Sequence, residues 1–215
     1  MYRFSRYKSE RPHYTPSNIF YVCSYGGCGS QMLCQYLGHF GDVYHLHSRA
    51  PPQKLTNTGY DDEKTYAEWF STIEIPDSAL YKYKVIFLYR NPADAIQSRY
   101  IDCPSMLKNV QCNDPTVTVA DCLRVQKDLF GLEEFFDNYT VSSKKNYPIY
   151  CVKYEDFWAN IPVFNQAFAL PDIPALYPVK NERAKQSADP TTAALTALYS
   201  ALNAKMQQMA FIEKR

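Results

Sequence analysis

Cys23-Ser24-Tyr25-Gly26-Gly27-Cys28-Gly29-Ser30-Gln31 is the stretch on which the fold turns. Apolar residues Ile19 to Cys23 before it read as a strand, and Gly29 to Phe40 after it as a helix. Three of the chain's seven glycines fall inside four residues at this junction. Glycines there let backbone N–H groups turn toward an anion, and the helix N-terminus adds partial positive charge. Ser30 offers a hydroxyl to the same oxygens, so Gly26, Gly27, Cys28, Gly29, Ser30 and Gln31 form a candidate anion loop. A tight strand-to-helix turn without a ligand would carry the same glycines. The loop is not a Walker A motif, because Gly29 is followed by Ser30-Gln31 rather than Lys-Ser or Lys-Thr.

Outward from the loop, strands and helices alternate. Asp42 to His47 reads as a second strand and Asp61 to Ile73 as a helix with acidic residues in its first turn. Lys84 to Arg90 is a nearly uniform apolar strand, as expected where both sheet faces are covered. Pro92 opens a helix to about Ile101. A long amphipathic helix follows from Val119 to Tyr139, carrying Leu123, Phe130 and Phe135 on its apolar side. Ile149 to Lys153 is a further strand and Tyr154 to Phe168 a short helix. Asp189 caps a final helix, with Pro190 at its first position, running to about Phe211. This alternation predicts an α/β fold, a parallel sheet flanked by helices, with ligands at the strand C-termini. Residues 1–18 read as an N-terminal arm and 19–215 as a single domain.

Composition narrows the partners. The chain has 215 residues and a net charge of +1, so it has no broad basic field for nucleic acid. No window reaches the ~18 apolar residues of a membrane span. The polar start predicts a soluble cytoplasmic protein, or a Golgi-lumen one if the chain is a fragment. The seven cysteines show neither a CxxC pair nor zinc spacing. Cys23, Cys34 and Cys151 read as buried thiols. Cys103 and Cys112 flank a loop that a disulfide would close only in an oxidising compartment. Oligomeric state is not legible.

A second motif, Tyr89-Arg90-Asn91-Pro92-Ala93-Asp94-Ala95-Ile96-Gln97-Ser98, puts an arginine at a strand end and a serine two helical turns on. A guanidinium and a hydroxyl so placed can share one phosphate. Together the two motifs resemble the sulfotransferases that use 3′-phosphoadenosine-5′-phosphosulfate (PAPS). That resemblance implies a P-loop, nucleotide-kinase-like sulfotransferase fold. It assigns the 5′-phosphosulfate to the glycine loop and the 3′-phosphate to Arg90 and Ser98. Ile149 to Phe157, with Tyr154-Glu155-Asp156-Phe157, is similar to a strand and motif that follow the long helix in many members. Order and spacing agree from Ile19 to about Phe157.

The family's loop carries Lys or Arg where this chain has Gly27, a cation that stabilises the leaving phosphate. Arg49 is the expected substitute. It follows His45 and His47, which strand alternation puts on one face at a strand's C-terminal end. Either histidine suits the general base, His47 before His45. Asp61, Asp62 and Glu63 are alternative carboxylate bases that read more simply as a helix start. Lys180, Arg183 and Lys185 stand where the family closes a basic loop over the nucleotide.

The expected activity is sulfuryl transfer from PAPS to a glycan, phenol or tyrosyl acceptor, releasing 3′-phosphoadenosine-5′-phosphate (PAP). No metal is expected, because protein donors hold both anionic ends. The alternatives are a PAPS- or PAP-binding protein without transfer, and a nucleotide or nucleoside kinase.

Overall fold

The computed structural model describes residues 6–7, 18–51, 55, 75–102, 116–141, 145–180 and 190–215. The expected helix Asp61 to Ile73, the Cys103 and Cys112 pair, Asp189, and Arg183 with Lys185 lie outside them.

Six strands form one mixed sheet: β1 (Arg6–Tyr7), β2 (Ile19–Cys23), β3 (Asp42–Leu46), β4 (Tyr83–Tyr89), β5 (Ile149–Lys153) and β6 (Ile212–Lys214), in the order β1-β3-β2-β4-β5-β6. The four inner strands are parallel, and β1 and β6 close the edges antiparallel. The chain leaves β2 for β3 on one side and β4 for β5 on the other. The loops after β2 and β4 therefore diverge, which makes a crevice at their C-terminal ends.

Alternate side chains of the inner strands feed two cores. Phe20, Val22, Ile86, Leu88 and Val152 pack under α1 (Ser30–Leu37) and a helix at Ile161–Phe168. Tyr21, Cys23, Val85, Phe87 and Cys151 face the opposite layer. There Phe87 stacks on Tyr139, ring centroids 4.6 Å apart. Cys23, Cys34 and Cys151 are free, buried thiols, as expected.

Helix α2 (Pro92–Ile96) continues as a π turn, Gln97–Ile101, so the helical run ends where the sequence predicts and only its winding changes. Asn91 caps it, its side-chain oxygen accepting from Ala93 N at 3.0 Å and Asp94 N at 3.3 Å. Its amide also donates to Asn203 at 3.1 Å. Replacing Asn91 with Ala should lower the unfolding free energy by about 1 to 2 kcal/mol, read as a lower urea midpoint at constant slope.

The long helix expected from Val119 to Tyr139 is two: α3 (Val119–Val125) and α4 (Leu132–Thr140). Gln126 and Gly131 adopt left-handed backbone between them, with φ of 52° and 68°. Asp128 holds the break, accepting from Glu133 N at 2.9 Å and from the Tyr199 hydroxyl at 2.7 Å. Tyr154 to Phe168 is likewise a turn and a 3₁₀ segment before α5 (Ile161–Phe168).

The final helix divides into α6 (Pro190–Leu198) and α7 (Ser200–Gln207) and stops short of Phe211. Buried Lys153 accounts for that stop: its ammonium donates to the carbonyls of Gln207 at 3.5 Å and Met209 at 3.0 Å. Such a cation satisfies carbonyls that a helix end leaves open. The chain then turns back as β6.

Among the described residues no helix is long and apolar enough to cross a membrane.

Candidate functional site at the crevice between β2 and β4

The loop Ser24 to Gly29 leaves β2 and delivers the chain into α1. Gly26, Gly27 and Gly29 all have positive φ, 109°, 66° and 79°. Helix α1 has no side-chain cap and no acidic residue in its first turn. Its first internal bond is Leu33 N to Gly29 O at 3.3 Å. Among the described residues, no protein group accepts from the backbone N–H groups of Gly26 to Met32. Such a run of open donors at a positive helix end is chemically suited to an oxyanion. Exposed Gln31 lies in the helix's first turn.

One flank of the loop is built by histidines and serines. Ser24 Oγ donates to Ser30 Oγ at 2.9 Å, which leaves the Ser30 proton for His45 Nε2 at 2.7 Å. His47 Nδ1 lies 2.8 Å from the Ser24 carbonyl, so it donates there and carries its lone pair on Nε2. The two rings are 4.5 Å apart, the shared face that alternation implied. Burial holds both neutral: His47 is lowered to about 4 by desolvation and further by the Arg99 charge, the Ser24 bond opposing. His45 is lowered to about 3 by desolvation and by His47. Because His45 Nε2 is committed to Ser30, His47 is the better-placed base.

The other flank is the end of β4, which Arg90 follows, and the π turn after α2, which carries Arg99. Arg90 Nη1 donates to Gly27 O at 3.0 Å, and its guanidinium stacks 4.7 Å from the Tyr154 ring centroid. Its Nη2 is 3.9 Å from Asp94 one turn on, and its Nε is buried without a partner. Arg99 Nη1 donates to Tyr25 O at 2.9 Å. Arg99 is only 5% exposed, and its Nε and Nη2 have no partner.

Ser98 is half-buried on the same π turn, but no hydrogen bond joins it to Arg90.

Comparison with known proteins finds no match. No family model, curated protein or solved structure aligns significantly with the chain.

Cys28 contributes backbone only. Its thiol donates to Gly26 O at 3.3 Å, and burial pushes it up to about 12, out of reach as a nucleophile. Arg49 pairs with Glu134 of α4 at 2.6 Å, on the surface. Lys180 is exposed, its ammonium 5.9 Å from the Trp158 ring centroid.

The residue that sequence reasoning missed is Arg99. Its signal was present, because Pro92, Ala95, Ile96 and Arg99 fall on one helical stripe and the first three are apolar. Here the cation that continues the stripe is buried.

Proposed function

We propose that this protein transfers a sulfuryl group from PAPS to a hydroxyl or amine of a glycan, phenol or tyrosyl acceptor, releasing PAP. The carrying observation is the run of open amides from Gly26 to Met32, flanked by a neutral histidine pair and two arginines at one sheet crevice. A nucleotide with an anion at each end suits this arrangement. Its 5′-phosphosulfate would take the amides of Gly26, Gly27, Cys28, Gly29, Ser30 and Gln31. Its 3′-phosphate would lie toward Arg90 and Ser98, with Lys180, Arg183 and Lys185 closing over the base.

In this reading the acceptor oxygen attacks sulfur in line as the bond from sulfur to the bridging phosphate oxygen breaks. The electron pair leaves with the phosphate, and the acceptor proton passes to His47 Nε2. His45 and the serines hold the pair of rings in place.

The test is incubation with ³⁵S-labelled PAPS against glycans, phenols and tyrosyl peptides. Label should pass to at least one class, with PAP formed in equal amount. Tight PAPS binding with no class labelled would replace transfer by binding alone. Failure of PAPS to bind would remove the nucleotide reading.

A further inference from the structure

We infer that Arg99 supplies, from behind the loop, the positive charge that the loop's own sequence lacks at Gly27, and that it thereby strengthens the hold on a 5′ anion. The inference rests on the reading that the amides of Gly26 to Gln31 receive the 5′ end of the nucleotide.

Burial gives the first argument. An arginine keeps its charge under all ordinary conditions, and a desolvated charge is costly unless compensated. Arg99 is 5% exposed, makes one bond to a carbonyl and has no carboxylate within ion-pair distance among the described residues. Arg49 and Arg90 each have an acidic neighbour, at 2.6 Å and 3.9 Å. A bound anion would supply the counter-charge that Arg99 lacks.

Fit gives the second. A Cβ on Gly26 would fall 1.3 Å from Arg99 Nη1, so the absence of a side chain at this residue makes the socket for the guanidinium. Loop and arginine are matched in shape before any ligand arrives.

Peptide geometry gives the third. The peptide joining Tyr25 and Gly26 is trans, so the Tyr25 carbonyl and the Gly26 N–H point in opposite directions. With the carbonyl turned to Arg99, the N–H is turned away from it, onto the loop's other side. A carbonyl engaged by a cation polarises its own peptide and makes that N–H a stronger donor. Arg90 treats the peptide between Gly27 and Cys28 in the same way. The cations thus act through the backbone, and Arg99 is a positioning residue rather than one that touches the ligand. The same charge helps keep His47 neutral, which places it within electrostatic reach of the site's other flank.

The experiment is calorimetry with PAP and with adenosine 3′-monophosphate, which differ only in the 5′-phosphate, on the wild type, Arg99→Met and Arg99→Lys. The wild type should prefer PAP. Arg99→Met should weaken PAP about tenfold or more and leave adenosine 3′-monophosphate within about twofold, and Arg99→Lys should recover part of the loss. Unliganded Arg99→Met should melt no lower than the wild type, since the charge removed had no counter-charge. The His47 ring, followed by NMR, should titrate at higher pH in Arg99→Met.

An unchanged preference for PAP in Arg99→Met would overturn the inference. So would equal weakening of both ligands with a lowered melting temperature, the mark of a mere structural pin. A wild type without preference for PAP would instead remove the nucleotide reading, and this inference with it. Preference lost in Arg99→Met, in a protein that transfers no sulfate, would leave the inference standing without the reaction.

Discussion

Replacing Gly27 with Ala should destabilise the protein by about 3 kcal/mol or more and, on the proposed function, abolish PAP binding. Two costs combine. Gly27 has φ of 66°, where an L side chain costs roughly 1 to 2 kcal/mol. The new Cβ would also lie 2.2 Å from the carbonyl oxygen of Ala95. That oxygen belongs to backbone and cannot rotate aside. Loop and α2 would have to separate, taking the Arg90 bond to Gly27 O with them.

Gly131→Ala isolates the first cost. Gly131 has φ of 68°, but the atoms nearest its Cβ would be those of the Arg49 guanidinium, from 3.1 Å, on a flexible side chain. That variant should lose about 1 kcal/mol. Urea denaturation of both variants, with PAP calorimetry on each, measures the difference. Equal losses would mean that the loop does not press on α2 as described.

The inner sheet was legible because each strand is its own apolar run. Ile19–Cys23 and Ile149–Lys153 have the bounds that their sequence suggests. The edge strands were not, since β1 has two residues and β6 three, and both exist through pairing with a neighbour. The breaks in the two long helices were hidden for a different reason. Phe130, Phe135 and Leu123 lie against one core on both sides of the break, so the apolar pattern runs on while the backbone does not.

In the site, the histidine pair followed from strand alternation, and the glycine loop from its composition. The fate of Arg49 did not, because Glu134 is 85 residues away in the chain and charge alone names no partner. Asn91, Pro92 and Asp94 of the second motif are all accounted for locally, as cap, first helical residue and ion-pair partner of Arg90.

The histidine pair should make the protein acid-sensitive from about pH 6.5, above the range where ordinary carboxylates begin to titrate. In the unfolded chain both imidazoles take up protons near pH 6.5. In the fold, His47 does so only at about 4 and His45 only at about 3. Between these limits the unfolded state binds more protons, so stability falls as pH falls. The stabilisation is complete above pH 6.5, declines below it and is lost once pH passes through the folded values. Each unit of displacement is worth ~1.4 kcal/mol, so the coupled pair should account for several kcal/mol. Urea midpoints from pH 7 to pH 4 should trace that decline, and His45→Gln with His47→Gln should flatten it.

Activity adds a second reading of the same titration. A base that is neutral down to about 4 should give a transfer rate flat from pH 8 to about 5. His47→Ala should cut that rate about 100-fold or more while PAP affinity stays within about twofold, because the 5′ amides are untouched. A wild-type rate that already falls between pH 7 and 6 would show a solvated imidazole at work. That outcome would remove His47, as it sits beside Ser24 and under the field of Arg99, from the role of base.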